Sequence, residues 1–211
     1  MPTPTTSIRL YGHPISGHVH RVRLMLSLLG LPFEEMPVDF ATREHKSPEF
    51  LARNPFGQVP VIEDGALTLA DSNAILVYLA GTYDAARLWW PAEPLAQARV
   101  QRWFSVAAGP LAYGPAAARV AVLFQRPDNP AARAIAAQLF ATMEGLLAER
   151  EWLAAERATL ADVAMYSYTA HAPEGAVSLE PYPAVRRWLA RVEALPGFIG
   201  MVQSPVPAAA A

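Results

Sequence analysis

The chain contains no cysteine. A disulfide scaffold, thiolate zinc ligation and a cysteine nucleophile are thereby excluded, and the composition fits a reducing compartment. Charge is sparse as well: charged residues make up 17% of the 211 and the net charge is −2, with no long basic run. Phosphate backbones are held by clustered Lys and Arg, so no nucleic-acid partner is expected. No uninterrupted apolar run reaches the ~18 residues that span a bilayer, so no membrane partner is expected either. The opening Met1-Pro2-Thr3-Pro4-Thr5-Thr6 lacks a basic region followed by an apolar stretch, which argues against a signal peptide. The expectation is a soluble, cytoplasmic protein. Apolar residues, by contrast, make up 53%, enough for a substantial core in one large domain or two small ones.

Short strand and helix signals alternate over the first eighty residues. Residues 8–11 predict a strand ended by Gly12-His13-Pro14, and Val22, Met25, Leu26 and Leu29 recur at helical spacing over 18–29. Gly30 supplies a left-handed stop, and Pro32 prevents continuation. Residues 33–40 predict a second strand, which Pro37 assigns to an edge. Ser47-Pro48-Glu49 is a helix start, with a hydroxyl cap, Pro at the first position and an acid at the positive dipole end. Two short strands at 59–62 and 67–69 flank the hairpin signal Asp64-Gly65, and Ser72 is expected to cap a helix carrying Ile75, Leu76 and Leu79. The order β-α-β-α-β-β-α favours one mixed sheet with helices packed on it. Residues 83–94, with two prolines and Trp89-Trp90, predict a linker. Alanine-rich helices then follow at 95–108, 115–124, 130–155, 160–169 and 182–194, and a low-complexity tail at 205–211 is expected to be disordered.

Several polar groups fall within the first eighty residues. A cis bond before Pro60 would expose the backbone N–H and C=O of Val59 to an extended ligand, as if adding a strand; a plain strand boundary is the alternative. Ser72 at a helix N-terminus suits a carboxylate, and the neighbouring Asp71 suits an ammonium group. His45, Lys46 and Gln58 add polar or cationic groups. Taken together they could hold a small zwitterionic peptide with a second carboxylate. His13, His18 and His20 have no acidic partner close by in sequence, so no metal site is expected.

The segments Glu44-His45-Lys46, residues 50–60 with Asn54-Pro55-Phe56-Gly57-Gln58-Val59-Pro60, Leu69 and Asp71-Ser72-Asn73-Ala74-Ile75 resemble the glutathione site of cytosolic glutathione transferases. They are most similar to the phi and theta groups and their bacterial relatives. The resemblance covers about residues 8–200. It implies an α/β plus all-α fold: a thioredoxin-like glutathione-binding domain at 1–82, the linker at 83–94, and an all-helical domain at 95–211 that contributes the electrophile pocket. It further implies a cis Pro60, Val59 bonded to the cysteinyl part of glutathione, Asp71 and Ser72 at the γ-glutamyl end, and His45, Lys46 and Gln58 near the glycyl carboxylate. Glutathione is then a co-substrate, no bound cofactor is implied, and a homodimer is expected.

In that family an activating hydroxyl follows the first strand, and Ser16 falls at the phi and theta serine position. Lowering a thiol pKa from ~8.5 by ~2 units needs about 2.7 kcal/mol, while one hydrogen bond to a charged group supplies roughly 1.5–3 kcal/mol. Capping the first helix is the plainer role for Ser16, and the two roles do not exclude each other; Tyr11 is the rival hydroxyl. His18 stands where many relatives have asparagine. Tyr11, Ile15, Trp103, Phe104 and Tyr113 are candidates to line an apolar cleft for a small hydrophobic electrophile, though aromatics at helical spacing also build cores. Thr159-Leu160-Ala161-Asp162 has the spacing of a capping box and looks like the family's helix-nucleating motif. The implied reaction is attack of glutathione thiolate on an electrophilic carbon. The alternatives are a glutathione-dependent peroxidase, isomerase or dehalogenase on the same fold, and a non-catalytic binding protein.

Overall fold

The computed structural model describes Pro4 and residues 6–207; the rest of the N-terminal run and the 208–211 end of the tail lie outside the described residues. Strand β1 (Ile8–Gly12) lies parallel to β2 (Phe33–Pro37), with Ile8 opposite Phe33 and Gly12 opposite Pro37. Its other side pairs antiparallel with β3 (Val61–Asp64), Leu10 opposite Ile62, and β3 pairs with β4 (Leu67–Ala70) to give the order β2-β1-β3-β4. The edge position argued for Pro37 is observed. β2 stops there rather than at residue 40 because β1, its only partner among the described residues, also ends at that register.

A parallel pair needs a crossover, and α1 (Gly17–Leu28) provides it, ending at Gly30 with φ +63°. A single 3-10 turn, Glu44–Lys46, leads into α2 (Pro48–Arg53), whose first turn is capped by Ser47 Oγ accepting from Phe50 N at 3.2 Å. β3 begins two residues later than expected because Pro60 cannot donate to a ladder, and Gly65 (φ +58°) turns the hairpin. α3 (Ser72–Tyr83) follows, capped by Asp71 and not by Ser72.

The sheet sends alternate side chains to its two faces. Leu10 and Ile62 are buried with Val22, Met25 and Leu26 of α1 and Ile75, Leu76 and Leu79 of α3, each worth roughly 1.5–3 kcal/mol on burial. On the other face Val38, Phe50 and Val61 form a smaller cluster joined by Tyr11, Phe40, Val59 and Ala70. This is a thioredoxin-like domain with a four-stranded mixed sheet, followed in the chain by an all-helical domain. The chain divides into one unit running to Trp90 and including Leu195–Val202, and a second comprising Pro91–Ala194 and the residues from Gln203 on.

In the second unit α4 (Pro94–Ala108) starts where Glu93 accepts from Leu95 N and Ala96 N. A π turn, Ala112–Ala116, contains Pro115 and leads into α5 (Ala117–Leu123). A proline has no N–H for the regular ladder, and the wider turn absorbs the defect. The helical run Pro94–Leu123 is 30 residues long with a window of mean hydropathy 1.3, long and apolar enough by composition to cross a membrane. Core helices share that length and composition, and Trp103, Phe104, Ala107, Leu111 and Ala118 along it are buried.

Then come α6 (Pro130–Ala148), α7 (Leu160–Ala170) and α8 (Pro183–Glu193). α6 ends well short of residue 155. Leu153 is claimed by tertiary bonds instead, its C=O accepting from Trp103 Nε1 at 2.9 Å and its N–H donating to Asp162 at 3.1 Å.

Glu174 forms a buried cluster in this unit, 2.5 Å from both Arg119 Nε and His171 Nδ1, and accepts from Ser204 N at 3.0 Å. Burial pushes its carboxyl up, but the Ser204 N–H, His171 and Arg119 outweigh it and hold the pKa below the ordinary 4.5. That stability is fully present above 4.5 and is lost as pH falls through the depressed folded value. Glu174→Gln is therefore expected to flatten the acid limb of a plot of Tm against pH.

Candidate active site

Ser16 sits at the N-cap of α1 in extended conformation, half-buried, with its N–H bonded to His13 C=O at 3.0 Å. Its Oγ accepts from Val19 N at 3.4 Å, a long capping bond. Among the described residues no acceptor takes its hydroxyl proton. The hydroxyl therefore faces the first turn of a 12-residue helix, whose free N–H groups carry partial positive charge.

Two residues further on, His18 Nδ1 lies 3.5 Å from Ser72 Oγ. Burial, then the charge of Arg21, push the His18 imidazole down to about 3, so it is neutral at physiological pH. Arg21 is itself buried and forks from α1 to the start of α3: Nη1 donates to Ser72 Oγ at 2.9 Å and to Asn73 Oδ1 at 2.8 Å. Asp71, exposed ahead of them, caps α3 by accepting from Ala74 N at 2.9 Å. Its backbone stands at φ +74°, ψ 121°. A non-glycine residue held there costs on the order of 1–3 kcal/mol, a strain that persists only where neighbouring contacts over-determine it.

The segment before β3 is organised by Asn54. Its buried amide donates to Gln58 C=O at 2.8 Å and accepts from Phe56 N at 3.1 Å. Lys46 Nζ donates to Phe56 C=O at 3.1 Å and Gly57 C=O at 2.8 Å. An ammonium has three N–H donors, so one remains for a ligand. Beside it, burial and then the charges of Lys46 and Arg43 lower the His45 pKa, and its ring meets Phe40 edge-on at 4.9 Å.

Gly57 stands at φ +57°, and a Cβ there would lie 2.7 Å from both His45 C=O and Lys46 Nζ. Gly57→Ala is expected to destabilise the fold by about 2 kcal/mol or more, from left-handed strain plus the backbone clash, and a urea midpoint would register it. The Val59–Pro60 bond is cis. The Gln58 side chain is exposed, Val59 is half-buried on the smaller core cluster, and its backbone N–H and C=O have no partner among the described residues.

Tyr11 points to the face of α2. Its hydroxyl donates to Glu63 at 2.9 Å, Arg53 lies over its ring at 4.8 Å, and Arg53 Nε pairs with Glu63 at 3.0 Å. The register explains this: Glu63 is opposite Arg9, so Tyr11, two residues on, shares its face. The three early histidines do not converge. His13 stacks on Phe40 at 4.7 Å, His18 faces Ser72, and His20 Nε2 lies 2.9 Å from Ile199 C=O.

The family model for the glutathione S-transferase N-terminal domain matches residues 6–81, and that for the C-terminal domain matches residues 110–196. Glutathione S-transferase 3 of Zea mays is 33% identical over 214 aligned residues, covering 95% of this chain and 96% of that one. The chain belongs to the glutathione S-transferase family. This transferase also resembles a crystal structure of glutathione S-transferase from Pseudomonas fluorescens, at 32% identity, TM-score 0.88, and coverage of 94% and 100% of the two chains. A glutathione transferase from Phanerochaete chrysosporium in complex with oxidized glutathione is similar at 26% identity and TM-score 0.84, covering 92% of this chain and 93% of that one.

In this glutathione S-transferase the candidates for the glutathione site, with Tyr11 and Ile15, lie in the first unit, on β1, at the start of α1, in the 45–60 segment and at the start of α3. Tyr113 lies on the π turn of the second unit and is 68% exposed. Trp103 and Phe104, offered as lining, are core residues. Sequence reasoning does not reach Arg21, and it quotes Asn54 and Asn73 within the motif without giving either a role. For Arg21 the available signal was a cation on the apolar face of α1, between Val22 and the half-buried His18, where nothing local in sequence neutralises it.

Proposed function

We propose that this transferase activates the thiol of glutathione through Ser16 and directs the thiolate at a small hydrophobic electrophile. The observation that carries the reading is the contrast between two hydroxyls. That of Tyr11 is committed to Glu63, whereas among the described residues Ser16 Oγ is engaged only as a distant acceptor and keeps its proton for a sulfur. The α1 N-terminus adds favourable partial charge. The thiol proton passes to solvent, the sulfur forms the bond to carbon, and the leaving group departs with its electron pair.

Glutathione is held in three parts. The open backbone of Val59 beside cis Pro60 takes the cysteinyl part as an added strand. Asp71 takes the γ-glutamyl ammonium, and Ser72 with the α3 N-terminus takes its carboxylate. The remaining Lys46 donor, with His45 and Gln58, faces the glycyl carboxylate. Residues 1–82 form the glutathione-binding domain and 95–211 the domain that receives the electrophile, with exposed Tyr113 among its contacts. The enzyme works as a cytoplasmic homodimer and needs no bound cofactor.

Titration with glutathione, following tryptophan fluorescence and ultraviolet thiolate absorbance together, tests the reading. Saturable binding with a thiolate signal well below the free thiol pKa of ~8.5 is expected. No binding at millimolar glutathione would overturn it in favour of the non-catalytic alternative.

A further inference from the structure

We infer that Arg21 is a positioning residue for the γ-glutamyl end of glutathione, acting through Ser72 and Asn73. The inference rests on the glutathione reading above and deepens it. Arg21 is 1% exposed, and a guanidinium is kept charged even when buried. One of its nitrogens, Nη1, donates to both Ser72 Oγ and Asn73 Oδ1. These are the first two residues of α3, directly after Asp71 at φ +74°.

Three consequences follow from that placement. A serine hydroxyl has one proton, and with the guanidinium occupying a lone pair the proton is turned away from Arg21, toward His18 Nδ1 or a ligand carboxylate. Fixing Ser72 and Asn73 holds the left-handed backbone of Asp71 and so the direction of its carboxylate. A buried positive charge behind the helix N-terminus also strengthens the field for an anion there. The neighbouring His18, kept neutral, adds no competing charge.

The test measures dissociation constants for glutathione, γ-glutamylcysteine and cysteinylglycine, the last lacking the γ-glutamyl group. Arg21→Met is expected to weaken the first two about tenfold or more. It should leave cysteinylglycine within about twofold and the pH midpoint of bound thiolate unmoved, because neither contact with the thiol nor with the glycyl end is altered. Arg21→Lys, which keeps the charge but not the fork, recovers part of the loss. Equal weakening of all three ligands would reduce Arg21 to a structural role, and no change in any would remove it altogether. Should Arg21→Met fail to fold, Asn73→Ala breaks one arm of the fork from a half-buried position and carries the same comparison, with a fall of about threefold in the glutathione-to-cysteinylglycine ratio. A parent enzyme that binds no glutathione overturns the underlying reading and this inference together. A parent that binds, with variant ratios unmoved, overturns only the role of Arg21.

Discussion

Ser16→Ala is expected to lower kcat/KM about 10- to 100-fold near pH ~6.5, with a much smaller loss above pH ~9. A hydrogen bond from a hydroxyl to a thiolate is worth roughly 1.5–3 kcal/mol, or about 1–2 pKa units at 1.36 kcal/mol each. Removing it returns the bound thiol toward ~8.5, so the variant lacks nucleophile only where the parent is ionised and it is not. The spectroscopic midpoint of the thiolate should move up by the same 1–2 units. Because Ser16 also caps α1, loss of the cap must be separated from loss of the hydroxyl. Ser16→Gly does so, since glycine at an N-cap costs only a few tenths of a kcal/mol. It should keep the parent's stability and share the alanine variant's activity loss. Tyr11→Phe, whose hydroxyl serves Glu63, should stay within about threefold of the parent, as expected for removing a partly exposed hydrogen bond. A thiolate midpoint that moves in Tyr11→Phe and stays put in Ser16→Ala would transfer the role to tyrosine.

The local devices that built this first unit were legible because each is a property of two or three adjacent residues. Gly30 ends α1 with positive φ, Ser47 caps α2, Pro37 sits on an edge strand and Gly65 turns the hairpin. What sequence misplaced depends on partners far along the chain. Ser72 has every local qualification for an N-cap, yet Asp71 takes that place; Arg21, fifty-one residues away, holds the Ser72 hydroxyl. Alanine-rich periodicity continues past residue 148, but Trp103 and Asp162 claim the backbone of Leu153. Pro115 reads locally as a first helical residue, whereas the preceding helix runs into it and widens. The same logic hid the support of the candidate site. Asn54 and Arg21 do their work through a buried amide and a buried guanidinium, and pattern alone cannot tell such groups from a solvated loop residue or an exposed helical cation.

Asp162→Ala is expected to cost about 4 kcal/mol or more, the largest stability effect of any single substitution considered, against a total of roughly 5–15 kcal/mol for a domain. Asp162 is fully buried at the start of α7 and its two oxygens serve four donors. Oδ1 accepts from Leu153 N at 3.1 Å and Trp188 Nε1 at 2.9 Å, and Oδ2 from Thr159 N at 2.9 Å and Thr159 Oγ1 at 3.2 Å. Burial pushes the carboxyl up, while the indole, Leu153 and Thr159 donors push back. Alanine would leave three buried N–H groups unpaired, each worth about 1–3 kcal/mol. It would also free the 151–157 segment and unseat Trp188 of α8. Thr159→Ala, by comparison, removes a cap worth about 1 kcal/mol, and Trp188→Phe removes one donor while keeping most of the ring. Denaturant midpoints should rank parent, then Thr159→Ala and Trp188→Phe, then Asp162→Ala. The double variant Thr159→Ala/Asp162→Ala should fall short of the sum of its singles, because both act on the same bonds. Strict additivity, or an Asp162→Ala variant as stable as Thr159→Ala, would mean that the carboxylate is a cap like any other and does not tie α7, α8 and the 151–157 segment together.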